Sequence, residues 1–317
     1  MTQIQTGGRS GAIANRPLLV IVGPTAVGKT SLSLHLAQAF DGEIISADSR
    51  LFYRGMDIGT DKPPLTVRRG LPHHLIDIRD PDSILTLGEY QRLAYRAIEA
   101  TLARQRLPIL VGGTGQYIWA VVEGWGIPRV PPNDALRTSL GALGRDELAR
   151  WLRCLDPESA ARIHPNNVRR VIRALEVTLL TGRPMSELRR KQPPPYRIKI
   201  VGLRAEREWL YERIDRRVQE MVAKGLLAEV RTLLDEGYSP TLPAMSALGY
   251  RQMAEHLQGT LTLAEAIERI QFETHRFVRQ QNTWFREGDA RIDWYDVGSA
   301  DWRARIVAAV DAWLRNH

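Results

Sequence analysis

PLLVIVGPTAVGKT, residues 17–30, is the stretch on which the reading of the fold turns. Its first six residues form an apolar run that reads as a buried strand. The run leads directly into Gly23, Pro24, Thr25, Ala26, Val27, Gly28, Lys29 and Thr30, which together match G-x-x-x-x-G-K-[ST], and a helical pattern follows to about Phe40. A strand before the motif and a helix after it are the context in which it forms a phosphate-binding loop. The glycines let the backbone fold closely round a phosphate. Successive N–H groups and the helix N-terminus supply positive potential there. Lys29 adds a point charge, and the hydroxyl of Thr30 is suited to Mg²⁺. The plainer alternative is a Gly-rich turn carrying a surface lysine.

Working outward, EIISA (43–47), HLIDI (74–78) and LPILVGG (107–113) read as further strands, with a helix from about Thr86 to Arg106 between the last two. Such alternation of short apolar runs and helical stretches belongs to parallel α/β proteins. IPRVPPND (127–134) and RKQPPPY (190–196) are Pro-rich segments that continue neither a helix nor a central strand. Between them the pattern is helical, most clearly in the stripe Val168, Val171, Ile172, Leu175 and Leu179, which Gly182 and Pro184 are placed to end. YRIKIVGL (196–203) returns to strand character. Helices are expected at roughly 205–224, 226–236, 246–257 and 262–286, then a strand at 291–297 and a closing helix from about Asp301. The expectation is therefore an α/β fold: a P-loop core with a mostly parallel sheet flanked by helices, plus a small all-helical insertion. The boundaries are a flexible leader over 1–16, the core over 17–128 and 197–317, and the insertion over 129–196.

Composition bounds the function. The 317 residues are 44% hydrophobic and 25% charged, an ordinary globular balance. The single cysteine, Cys154, excludes an intramolecular disulfide and a cysteine-rich zinc module, and fits a reducing compartment. No apolar run approaches the roughly 18 residues that span a bilayer, and residues 1–16 lack the apolar core of a signal peptide, so a cytoplasmic chain with no membrane partner is expected. The net charge of +8 is unevenly placed: residues 129–196 hold 13 Arg or Lys against 7 Asp or Glu. That basic helical segment is either a solvated surface or a nucleic-acid footprint.

The P-loop names a diphosphate but not the rest of its ligand. An NTPase also needs an apolar strand ending in a Mg²⁺-holding acid, with groups near the γ-phosphate. LPILVGG ends in glycines, whereas EIISAD ends in Asp48. Asp48 stands at the C-terminal end of its strand, the edge where open α/β sheets bind ligands. From position alone it is a general base, a turn cap or a Mg²⁺-shell ligand.

From Asp48 the sequence DSRLFYRGMDIGTDKP (48–63) resembles the tRNA dimethylallyltransferases, also called isopentenyltransferases. The likeness continues through HHLIDIRDP (73–81), PILVGGTGQY (108–117), DPESAARIHPNNVRRVIRALEV (156–177), ALGYRQM (247–253) and HRFVRQQNTWFR (275–286), in the family's order. The resemblance implies a transferase that binds dimethylallyl diphosphate with Mg²⁺. It moves the five-carbon group to N6 of the adenine 3′ of the anticodon, in tRNAs reading codons that begin with U. Pyrophosphate leaves and no ATP is hydrolysed. Asp48 matches the family's general base, and Thr25, Thr114 and Arg217 match positions contacting the diphosphate or assisting transfer. Asp48, Ser49, Arg50 and Leu51, then Arg137, then Arg169, Arg170, Val171, Ile172 and Arg173, and finally Ser246, Ala247, Leu248, Gly249, Tyr250 and Arg251, match segments contacting the tRNA anticodon stem-loop. One departure is visible: Arg279 and Gln280 stand where the family usually has Lys then Arg, one cation fewer.

That chemistry suits these residue types. The N6 amine is a poor nucleophile that becomes acidic as its new bond forms, and a poised carboxylate can take the proton. Charge developing on the leaving diphosphate calls for clustered donors and cations. Arg169 and Arg173, spaced i, i+4 away from the apolar stripe, either decorate a surface or grip RNA. Without the resemblance Arg217 is a solvent-facing arginine, and His73 and His74 are polar pocket or structural residues. The chain is expected to work as a monomer. The competing expectations are a P-loop small-molecule kinase, with 129–196 as a lid, and a non-catalytic nucleic-acid-binding protein.

Overall fold

The structure, a computed structural model, describes residues 16–316. The leader expected over 1–16, save Arg16, therefore lies outside the described residues. Two compact units are present, one built from residues up to Ile118 and from Pro195 onward, the other from Trp119–Pro194.

The first half of the larger unit runs β1 (Pro17–Val22), α1 (Lys29–Ala39), β2 (Gly42–Ser46), α2 (Leu65–Arg68), β3 (His73–His74), α3 (Leu87–Ala103) and β4 (Leu107–Val111), and the division between the units falls within α4 (Gly115–Val122). After α5 (Asp134–Gly141), α6 (Arg145–Leu155), α7 (Pro157–Arg162), α8 (Val168–Thr181) and α9 (Met185–Leu188), the chain returns as β5 (Arg197–Arg204), α10 (Arg207–Ala223), α11 (Leu226–Asp235), α12 (Tyr250–Leu257), α13 (Leu263–Trp284), β6 (Ile292–Asp296) and α14 (Trp302–Arg315). The six strands lie in the order β3-β2-β4-β1-β5-β6, and every ladder is parallel. A parallel sheet covered by helices must be apolar on both faces. β1 obeys this, with Leu18, Leu19, Val20, Ile21 and Val22 all fully buried. α3 covers it with a face at helical spacing, Tyr90, Ala94, Ile98 and Thr101, and its Thr86 cap accepts from the Glu89 N–H.

The strand expected over 74–78 is largely absent. Only His73 and His74 pair, with Ile44 and Ile45 of β2. Leu75 and Asp77 have φ of 62° and 57°, a left-handed backbone that ends a strand. Asp77 is turned inward onto the buried Lys62 ammonium, 2.5 Å away. The helix expected from 246 begins at Tyr250, because Gly249 (φ 92°) is its N-cap. Within the smaller unit a separate core forms from residues including Leu140, Leu148, Leu152, Val171, Leu175 and Met185. α8 ends as the sequence implies, with Gly182 at φ 67°. Leu179 departs from the stripe: it is exposed, and Ala174, Val177 and Thr178 fill the buried face instead. Among the described residues no helix is long and apolar enough to cross a membrane.

Candidate active site

Parallel strands deliver their C-terminal ends to one edge, and four loops of the larger unit converge there. The P-loop follows β1. Gly23 (φ 145°) lies so close to β5 that a Cβ would stand 2.6 Å from the Leu203 carbonyl oxygen. Ala26 is left-handed at φ 66°, and its carbonyl accepts from Arg213 Nε at 3.0 Å. Lys29 Nζ donates to the Gly23 and Pro24 carbonyls at 3.0 and 2.7 Å. Burial pulls the Lys29 ammonium down to about 8, a shift the Asp48 carboxylate opposes and the Arg217 charge reinforces. Such a lysine is short of negative charge, and a bound anion would raise its pKa again.

Asp48 follows β2. Its Oδ1 accepts the Arg50 N–H at 2.9 Å, so the carboxylate does cap a turn. The Ser49 N–H donates to Thr114 Oγ1 at 3.2 Å, tying this loop to the one after β4. Arg50 continues to the Pro243 carbonyl at 2.8 Å and Ser246 Oγ at 3.4 Å. Arg217, on α10, pairs through Nη2 with Asp61 Oδ2 at 3.0 Å.

These groups face one cavity of about 510 Å³. Thr25, Asp48, Ser49, Arg50, Thr114, Arg217, Ser246, Ala247, Leu248 and Arg251, all singled out in the sequence, line it. Others from the same motifs do not reach its wall. Gly23 and Pro24 line a separate pocket of about 210 Å³ with Leu203 and Trp294. Gly249 and Tyr250 are buried, and Ala26, Val27, Gly28, Lys29, Thr30 and Leu51 are not in the cavity lining.

The sequence reading missed Gln281. It is 3% exposed, accepts the Thr25 N–H at 2.8 Å, and donates to the Gly113 carbonyl at 3.0 Å, joining the P-loop to the loop after β4. Its neighbour Gln280, noted for replacing a cation, does line the cavity beside Arg276 and Phe277. Arg279 instead donates to Tyr211 Oη at 2.9 Å. The signal for Gln281 was a polar residue at a position where α13 turns inward, in step with Thr274 and Val278.

The smaller unit holds the remaining expected residues. Arg169 and Arg170 are exposed and make no ion pair among the described residues. Arg137 and Arg173 differ, since both clasp Glu176, whose side chain is 0% exposed. Arg137 gives Nε and Nη2 to the carboxylate at 2.9 and 3.0 Å, and Arg173 Nη1 reaches it at 2.5 Å. Burial alone would raise the Glu176 carboxyl. The Arg137 side chain, the Asn133 N–H and the Arg173 side chain outweigh it and hold the group below the usual range. Thus Arg169 and Arg173, which the spacing places together, are in different surroundings, because the buried acid in α8 draws Arg173 inward.

The family model described as IPP transferase matches residues 51–288. The tRNA dimethylallyltransferase of Thermomicrobium roseum is 52% identical over 304 residues, covering 95% of this chain and 92% of that protein. The protein of the same name from Roseiflexus castenholzii is 55% identical over 274 residues, covering 85% and 90%. Among solved structures, the full-length tRNA isopentenylpyrophosphate transferase from Bacillus halodurans is similar with a TM-score of 0.72 at 41% identity, covering 94% of this chain and 97% of that one. A eukaryotic dimethylallyltransferase captured acting on tRNA gives a TM-score of 0.85 at 27% identity, covering 95% and 80%.

Proposed function

The chain belongs to the IPP transferase family, and from that premise we propose that its cavity transfers the dimethylallyl group of dimethylallyl diphosphate to the N6 amine of the adenine 3′ of a tRNA anticodon, releasing pyrophosphate. It is a tRNA-modifying transferase, as its relatives are, and the small-molecule kinase alternative falls away with that membership. One observation carries the assignment of residues: Asp48, Thr25, Thr114 and Arg217 share a single cavity with the 246–251 segment.

In this reading the diphosphate lies against the P-loop amides and Lys29, at the N-terminus of α1. Arg217 stands where charge develops on the leaving pyrophosphate, and Thr114 offers a hydroxyl beside it. The carboxylate of Asp48 takes the proton that N6 sheds as its bond to the allylic carbon forms and the carbon–oxygen bond to diphosphate breaks. The adenine must leave its stack to reach the cavity. Leu248 and Phe277 give the wall apolar surface, and Arg50, Arg251 and Arg276 give it positive charge toward RNA.

Mg²⁺ fits the donors present. The Thr30 side chain is exposed at the first turn of α1, and no cluster of three or more acidic, His or Cys groups among the described residues forms an all-protein cage. Such a setting suits a cation that keeps waters and takes its other ligands from substrate phosphates. When bound, Mg²⁺ would neutralise charge on the diphosphate; Thr30 is the residue to hold it. Incubating labelled dimethylallyl diphosphate with tRNA and identifying the labelled nucleoside tests the reading. Label on N6 of the anticodon-adjacent adenine supports it, whereas tRNA-stimulated ATP hydrolysis with no prenyl transfer overturns it.

A further inference from the structure

The loop over 56–62 forms one wall of the cavity, through Gly59 and Thr60, yet it has almost no regular structure of its own. Its backbone donors still need acceptors. Three successive N–H groups are satisfied by one side chain from another element. Glu229 of α11 accepts from the Asp57 and Ile58 N–H groups at 3.0 and 2.7 Å through Oε2, and from the Gly59 N–H at 3.2 Å through Oε1. Its Oε1 also accepts from Tyr250 Oη at 2.5 Å. Tyr250 is fully buried and lies against Gly59, where a Cβ would meet its ring at 2.5 Å. A single carboxylate thus fastens the 56–62 loop and the first residue of α12, whose neighbours Leu248 and Arg251 form another part of the same wall. The buried Lys62 closes the loop from its other side, holding the Tyr53 carbonyl at 2.7 Å and Asp57 Oδ1 at 2.5 Å.

Two residues beyond the last of the three held amides comes Asp61, left-handed at φ 51°, whose carboxylate pairs with Arg217. A guanidinium is a planar fork of five donors, and an acid fixing one edge sets the direction of the rest. Asp61 Oδ2 lies 3.0 Å from one nitrogen of Arg217, Nη2, and the Arg217 side chain faces the cavity. The position of Asp61 is set by the loop, and the loop by Glu229.

We propose that Glu229 is a positioning residue for prenyl transfer, acting through the loop and Asp61 to aim Arg217 at the leaving diphosphate. The inference rests on the functional reading above. It touches neither substrate itself: its carboxylate is spent on the four donors just named. Gln in its place keeps the shape but turns an amide N–H₂ toward backbone donors that need an acceptor.

The test is single-turnover transfer with saturating dimethylallyl diphosphate and tRNA in the full chain, comparing Glu229→Gln, Asp61→Asn and the double variant. Glu229→Gln is expected to slow transfer about tenfold or more, since small misplacements of a catalytic group are costly. In the Asp61→Asn background the same substitution should cost less than about threefold, because the path to Arg217 is already cut. A merely structural role would cost the same in both backgrounds, and that additive result overturns the inference. So does a folded Glu229→Gln enzyme at full rate. Should Glu229→Gln fail to fold, Asp61→Asn carries the test alone: slowed transfer supports the inference and an unchanged rate overturns it. A wild-type chain that transfers no prenyl group overturns the functional reading itself, a result separable from all of these.

Discussion

Two groups of arginines serve opposite ends of the same physics. At the cavity, Arg217 pairs with Asp61, whose side chain is 50% exposed, and Arg251 meets Glu273, 23% exposed. In the helical unit, Arg137 and Arg173 close on Glu176, which is 0% exposed. The residue type is the same and so is the bond; the acid's burial differs. An acid in contact with water can share its arginine with an incoming phosphate at small cost, because water screens the pair and the guanidinium has further N–H donors to offer. A buried acid cannot, since losing its partner strands a charge in a poor solvent. The cavity's arginines therefore keep donors to offer a phosphate, while those on Glu176 are committed to it, which leaves exposed Arg169 and Arg170 as the helical unit's free cations among the residues expected to meet RNA.

The largest effect expected on the cavity side comes from Asp48→Asn. A lost general base should lower kcat by about 10²-fold or more with little change in the directly measured Kd for dimethylallyl diphosphate. A drop in Tm with normal kcat would instead reduce Asp48 to its observed turn cap. On the fixed side, Arg137→Ala with Arg173→Ala should destabilise the chain by about 3 kcal/mol, read in chemical denaturation, because it leaves the buried Glu176 carboxylate without its partners. A loss below about 1 kcal/mol would erase the distinction between the two groups.

A smaller, pH-dependent effect sharpens the contrast. Burial holds the Lys29 ammonium down to about 8, and only its protonated form carries the charge that would attract a diphosphate. Ligand binding above that pH must therefore take up a proton, and affinity should fall by up to about tenfold per pH unit as pH rises past 8. In Lys29→Met that pH dependence should vanish from a binding titration, leaving weaker binding throughout. The smallest effect concerns the free cations. Arg169→Ala with Arg170→Ala should leave Tm unchanged and flatten the salt dependence of tRNA affinity by roughly 0.7 per lost phosphate contact. An unchanged slope would make those two arginines surface decoration.

The parts of this fold written in local sequence were readable. The P-loop, its flanking strand and helix, and the end of α8 at Gly182 follow from periodicity and turn residues within a dozen positions. What escaped depends on distant partners. HLIDI has the composition of a strand, but Lys62 draws Asp77 out of one. Arg173 has the spacing of a surface residue until Glu176 is seen to be buried. Gln281 and Glu229 are unremarkable in sequence, and their roles appear only when the backbone groups they satisfy, far away in the chain, are in place. Within the site, the motif residues that face the cavity were visible, whereas the side chains that hold those residues in position were not.

The position of β1 also sets an order of assembly. Its inner neighbour β4 lies before the helical unit in the chain, but its other neighbour, β5, lies after it. As the chain leaves the ribosome, β1 can pair with β4 while its opposite edge, Leu18 to Val22, waits for the whole 119–194 segment to be made. An unpaired apolar edge is a site for wrong association. The intervening segment brings its own core and so can collapse on local contacts during the delay. Slowed or interrupted synthesis in that segment would then leave a half-sheet with an open strand, and aggregation of nascent chains should be greatest for those truncated between β4 and β5.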